Sequence, residues 1–156
     1  MKYFSLIIFG LLFVSIFSFG NAKILTNTGQ DTQKNKKDTL STIAGLPWHS
    51  DINTAFRLAQ QEHKKVIVMV GEEYCKWCKK MKARTLTDVR IQEKFKRYIL
   101  VSIKRSDKTS VKYIPEFDGN IPSFFFMKAN RELIEPLVGY FTADDFLQYI
   151  KEIEEY

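Results

Sequence analysis

The sequence predicts an α/β domain with a central mixed β-sheet covered by helices on both faces. Three observations predict it. Short apolar runs at Val66–Val70, Tyr98–Ile103 and Ser123–Met127 read as strands. Stretches of helical periodicity are interleaved with the first of these runs, which makes layered α/β packing the economical arrangement. Ala129-Asn130-Arg131 then turns the third run into Glu132–Val138, a closing antiparallel partner. The expected order is helix, strand, helix, helix, strand, strand, strand, helix.

The elements follow from the chain in order. Met1–Ala22 carries Lys2, an apolar run from Leu6 to Phe19 and the small-x-small ending Gly20-Asn21-Ala22. That is the layout of a secretory signal, and the run is shorter than the ~20 residues a spanning helix needs. An uncleaved inner-membrane anchor is the alternative. Residues 23–45 are expected as a flexible linker, since Lys23–Leu40 is polar and lacks aromatic residues. The domain is expected over 46–156. Ser50 or Asp51 caps a helix whose apolar face is Ile52, Ala55, Phe56 and Ala59, ending near His63-Lys64-Lys65. Gly71 breaks the Val66 strand ahead of a second helix. Thr87 or Asp88 caps a third, with Ile91 and Phe95 inward. Lys104–Asn120 reads as a polar loop. Thr142 with Asp145 opens a last amphipathic helix that buries Phe146, Ile150 and Ile153. The Phe124-Phe125-Phe126 run reads as core strand.

The chemistry concentrates at Cys75-Lys76-Trp77-Cys78, the only cysteines in the chain. A C-x-x-C at a strand-to-helix junction reads as a redox dithiol. The spacing puts both sulfurs on one face of the first helical turn, within bridging reach. Cys75 meets the unsatisfied N–H groups and positive dipole of the helix start, which favour its thiolate. Cys78, one turn in, is expected to be shielded. Cys75 is therefore the expected nucleophile and Cys78 the resolving thiol. A bridge across so short a loop restrains the unfolded chain little, so it serves chemistry rather than stability.

Charge excludes some classes. The chain has 24 Lys and Arg against 18 Asp and Glu, formally +6, dispersed along the sequence with no nucleic-acid motif. No nucleic-acid partner is expected. Between Glu72 and Lys82, two acids face four lysines, and the net positive charge favours a depressed Cys75 pKa. A C-x-x-C-K string also occurs in haem attachment, and two thiolates with His49 or His63 could hold a metal such as copper. Neither histidine has ligand spacing, and both are expected to be solvated. No cofactor and no metal site are expected.

These residues resemble the thioredoxin superfamily, with the nearest likeness to the C-terminal domain of DsbD-type thiol:disulfide interchange proteins and to small exported thioredoxin-related proteins. The likeness runs from Trp48 to Ile150. It rests on the strand before Cys75-Lys76-Trp77-Cys78, on Thr85–Gln92, on Ile121-Pro122-Ser123 opening a strand, and on Gly139-Tyr140 before the final helix. It implies a thioredoxin-like fold and a cis peptide before Pro122 packed beside the dithiol. It further implies that Ile121 offers its backbone to an extended substrate segment. With Ile121 and Pro122, the expected substrate-contact residues are Tyr74, Lys76 and Trp77. Trp77 and Tyr74 serve either recognition or packing, and polar neighbours favour partial exposure of Trp77. The chain departs from thioredoxin at Lys76-Trp77, where Gly-Pro stands there; at Met69, where thioredoxin buries an acid; and at Ile121, often Thr. Lacking that acid, Cys78 needs another proton acceptor. Glu72 and Glu73 are the nearest candidates in sequence, and both read equally well as exposed loop charges.

The expected function is that of a periplasmic or secreted thiol–disulfide oxidoreductase, monomeric and leaning to reductant. It would act on cysteine-containing periplasmic proteins and draw electrons from a membrane thiol transporter. The reading from another class is a non-catalytic binding module, or a copper carrier using the same thiols.

Overall fold

The computed structural model describes residues 37–155; the expected signal at 1–22 and most of the linker lie outside them. The described chain opens with a small hairpin, β1 (Ser41–Ile43) against β2 (Leu46–Trp48). Its two-residue turn, Ala44-Gly45, has φ of 51° and 78°. Positive φ at both positions gives the hairpin turn whose twist matches its strands, and Gly45 adopts it without a Cβ clash. The Trp48 indole donates to Ile43 O at 3.2 Å. Residues 37–45, expected as the end of a linker, thus contribute a strand, and folded structure begins ahead of Leu46.

Asp38 and Thr39 fasten this segment, Thr39 through its N–H and hydroxyl to Ser50 Oγ at 2.9 Å each; Asp38 makes the larger set of bonds. Its carboxylate accepts from His49 Nδ1 at 2.7 Å and from the backbone N–H of Ser50 and Asp51 at 3.0 Å each. His49 is therefore not solvated as expected: its side chain is 16% exposed, and its backbone joins the hairpin to a neighbouring strand edge through Leu100 and Ser102. Burial pushes the Asp38 carboxyl up, but the His49 hydrogen bond and the two backbone donors outweigh it and hold the pKa below the ordinary 3.8. A depressed carboxylate stabilises the fold fully above its unfolded pKa, and that stability is lost as pH falls through the folded value. Asp38→Ala is expected to cost about 1–2 kcal/mol at neutral pH. Denaturant melts should show the gap to wild type closing as pH drops below 3.8.

Asp51 caps α1 (Ile52–Glu62), accepting from Thr54 N at 2.7 Å, and His63 ends it in the left-handed region. Then come β3 (Val66–Gly71), α2 (Lys76–Lys80), which runs into a wide π turn at Met81–Thr85, and α3 (Val89–Phe95), capped by Asp88. Next are β4 (Ile99–Lys104), α4 (Lys108–Val111), β5 (Ser123–Met127), β6 (Leu133–Val138) and α5 (Ala143–Glu154). Two details differ from expectation. Gly71 completes β3 opposite Lys104 rather than breaking it, and the 104–120 stretch holds the short α4, capped by Asp107.

The main sheet has the order β4-β3-β5-β6, parallel between β3 and β4 and antiparallel elsewhere. Strand alternation divides the core. Val66, Val68, Val70, Phe125 and Met127 face Ile52, Phe56 and Ala59 of α1. Ile67, Met69, Phe124 and Phe126 face Ile91 and Phe95 of α3 and Phe146 and Ile150 of α5. Both faces of the sheet are covered, which is why β3 and β5 read as continuous apolar runs. The fold is a thioredoxin-like α/β fold with a central mixed sheet.

Candidate active site

β3 delivers the chain to the dithiol. Past Gly71, Glu72-Glu73-Tyr74 makes a turn closed by Cys75 N–H to Glu72 O at 3.2 Å. Cys75 then caps α2: its Sγ accepts from Cys78 N–H at 3.0 Å, one of the donors a helix start leaves unsatisfied. Cys75 and Cys78 form a disulfide, with Cα atoms 5.2 Å apart. Their environments differ. Cys75 is partly exposed, while Cys78 is 3% exposed and lies over the end of β3. A methyl group at Gly71 would stand 3.4 Å from Cys78 Sγ, so the strand passes directly beneath the inner sulfur. In the reduced protein the same N–H group and the helix start would favour a thiolate at Cys75.

The Ile121–Pro122 bond is cis, the one such bond among the described residues. Pro122 O accepts from Gly139 N at 2.8 Å, which joins the start of β5 to the end of β6. Against this corner opens a groove of about 320 Å³ lined by Trp77, Ile121, Pro122, Gly139 and Tyr140. Trp77 stands between the two cysteines, so the groove adjoins the dithiol. Three of the expected contact residues thus meet in one place: Trp77, Ile121 and Pro122. Trp77 is 49% exposed, the partial exposure expected of it. Tyr74, 91% exposed, and Lys76 stand on the surface beside Cys75 and do not line the groove.

Three further residues belong to the site, although the sequence did not mark them as contacts. The Tyr140 ring lies 5.5 Å from that of Trp77, tilted by 33°, and packs with it along one wall of the groove. The Lys80 ammonium sits over both rings, 4.9 Å from the Trp77 centroid and 4.3 Å from that of Tyr140. Thr85 is buried in the π turn and donates to Phe141 O at 2.6 Å, tying the dithiol helix to the loop that carries Tyr140. A cation three residues after Trp77 was a usable signal for the Lys80–Trp77 contact. Nothing local announces the Tyr140 or Thr85 contacts.

The candidate proton acceptors have other partners. Glu72 accepts from Ser106 N at 3.1 Å, and hydrogen bonding to Ser106 draws its pKa down. Glu73 pairs with Lys104 Nζ at 2.5 Å. Both carboxylates are thus turned toward the end of β4. At the position where thioredoxin buries its acid, Met69 is 2% exposed and packs in the core with Met81 and Phe124. Among the described residues no group of three or more His, Cys, Asp or Glu side chains is placed to hold a metal ion. Among the same residues no helix is long and apolar enough to cross a membrane.

The thioredoxin-like domain family matches residues 52–154. No curated protein matches the sequence. Among solved structures, the chain is similar to a thioredoxin from Thermus thermophilus, with 23% identity and a TM-score of 0.59 over 67% of this chain and 84% of that one. It is also similar to the oxidised C-terminal domain of DsbD from Neisseria meningitidis, with 24% identity and a TM-score of 0.54 over 66% of this chain and 96% of that domain. A poplar thioredoxin h aligns at 17% identity and a TM-score of 0.54, over 67% of this chain and 88% of the other. At these identities the structural likeness speaks for the fold, and the family match reaches from α1 through the dithiol to α5. With its disulfide-forming cysteine pair at the start of α2, the chain belongs to the thioredoxin-like domain family and carries a site suited to thiol–disulfide redox chemistry.

Proposed function

We propose that the protein is an exported thiol–disulfide oxidoreductase that acts as a reductant toward cysteine-containing partner proteins. The observation that carries the reading is the unequal exposure of two bridged sulfurs beside an open groove: Cys75 is reachable and Cys78 is covered. In the reduced protein, the Cys75 thiolate attacks one sulfur of a partner disulfide. That bond breaks, a Cys75–partner bond forms, and the partner's other sulfur leaves as a thiolate. Cys78, deprotonated, attacks Cys75 Sγ, restores the internal disulfide and expels the second partner thiolate. Two electrons and the two dithiol protons pass to the partner. A thiol electron donor, in this reading a membrane transporter, must then reduce the Cys75–Cys78 bond.

Export is supported by Lys2 and the apolar run from Leu6 to Phe19 followed by Gly20-Asn21-Ala22. The direction of flow is supported only by the likeness of the chain to reducing relays. The deciding experiment is an equilibrium of the dithiol with glutathione, run beside reduction of insulin. A potential near that of thioredoxin, about −270 mV, with catalysed insulin reduction supports the reductant. A value near −120 mV makes it an oxidant, and a couple inert to both partners overturns the enzyme.

The groove gives a further expectation. An extended partner segment would bond the Ile121 backbone and rest a side chain against the packed Trp77–Tyr140 pair. Tyr140→Ala removes one ring of the pair without touching either sulfur. It is expected to raise KM for a peptide disulfide about fivefold, the effect of losing an aromatic contact worth ~1 kcal/mol, with kcat little changed. Steady-state kinetics on a peptide substrate will measure it.

A further inference from the structure

The start of α2 is unusual in its charge. Lys76, Lys79 and Lys80 are spaced i, i+3, i+4 and so share one face, and no acid occupies the first turn. Lys76, in the first turn, opposes the helix dipole, and three like charges on one face repel one another. Among the described residues none of the three is in an ion pair, while the neighbouring acids are committed elsewhere, Glu72 to Ser106 and Glu73 to Lys104. Lys76 and Lys79 are exposed, and Lys80 sits at the rim of the groove over the Trp77 and Tyr140 rings. Positive charge is left uncompensated around the reactive sulfur.

We propose that this surface selects its partners: the groove beside Cys75 takes segments that carry acidic residues next to the reacting cysteine. The inference rests on the thiol-exchange reading and adds the chemical class of the partner. Carboxylates flanking the partner's cysteine would meet the three ammonium groups as its sulfur reaches Cys75. Lysines near a thiolate also lower its pKa, but that effect is the same for every substrate. Docking differs between substrates, so the two separate cleanly.

The test uses the reduced protein and three peptide disulfides identical except at the two residues flanking the cysteine, which are Glu, Gln or Lys. Each single-turnover rate is divided by that of 2-mercaptoethanol on the same peptide, which removes the peptide's own reactivity. The Glu peptide is expected to react at least about tenfold faster than the Lys peptide at low ionic strength, as for steered encounters generally. The gap should close near 1 M salt, where charges are screened beyond ~3 Å. Lys76→Gln with Lys79→Gln should shrink the Glu-to-Lys ratio severalfold. Equal normalised rates for the three peptides, or a faster Lys peptide, overturn the acidic-partner proposal and leave thiol exchange standing. No exchange with any of them overturns both.

Discussion

Replacing Cys78 with serine is expected to stop turnover and to leave partner proteins covalently attached through Cys75. The geometry is the reason. A partner disulfide must bring one sulfur into line with the attacking atom, and only Cys75 has an open side; Cys78 is covered and rests on Gly71. Once the mixed disulfide has formed, its release needs a second sulfur within bonding reach of Cys75 Sγ, and Cys78 alone holds that place. Serine fills it without a usable nucleophile, so the intermediate accumulates. Cys75→Ser, in contrast, is expected to form no adducts and to lose exchange down to the uncatalysed background. Since the pair closes a very short loop, neither substitution removes much stability, and both variants should fold. Non-reducing gels of alkylated extracts, with mass spectrometry of the adduct, will read the result. Adducts on Cys75→Ser and none on Cys78→Ser would reverse the assigned roles.

Much of this site was legible before any coordinates, and the reasons are local. A dithiol at a strand-to-helix junction is set by consecutive residues, so Val66–Val70 followed by Cys75 and Cys78 sufficed to expect both the bridge and the unequal exposure. The sheet strands were equally plain, because burial on two faces removes polar residues from β3 and β5. What stayed hidden depends on distant partners. Ala44-Gly45 closes a hairpin turn, but Ala lacks the turn preference of Asn or Asp, and the polar residues before it resemble a linker. Residues 38–43 are held by Asp38 and Thr39 bonding groups at 49–51 and by the pairing of β1 with β2, contacts no composition rule detects. The Asp38 contact draws His49 out of solvent. Tyr140 reaches Trp77 across 63 positions of sequence, a pairing that only the closure of β6 against β5 brings about.

The largest stability effect is expected at Phe146, whose replacement by alanine should cost about 3–5 kcal/mol. Its ring is fully buried and touches four others, with centroid distances of 6.0 Å to Phe95, 5.0 Å to Phe124, 6.5 Å to Phe126 and 5.8 Å to Phe141. Those neighbours belong to α3, to β5 and to the loop before α5, so one side chain joins three parts of the fold. Domains of this kind have only ~5–15 kcal/mol in all, and the variant would stand close to unfolding. Leucine in the same place should cost markedly less, because it refills most of the volume. The position also bears on chemistry. Phe124 lies two residues past Pro122, and Phe141 follows Tyr140, so a cavity at Phe146 removes packing from beneath both walls of the groove. Urea melts should show a lower midpoint with an unchanged slope, the mark of lost stability without a change in the surface exposed. In the cold, where the variant stays folded, KM for a peptide disulfide should rise while the potential of the dithiol holds. A Phe146→Ala protein within about 1 kcal/mol of wild type would mean that α5 is not what holds the groove in shape.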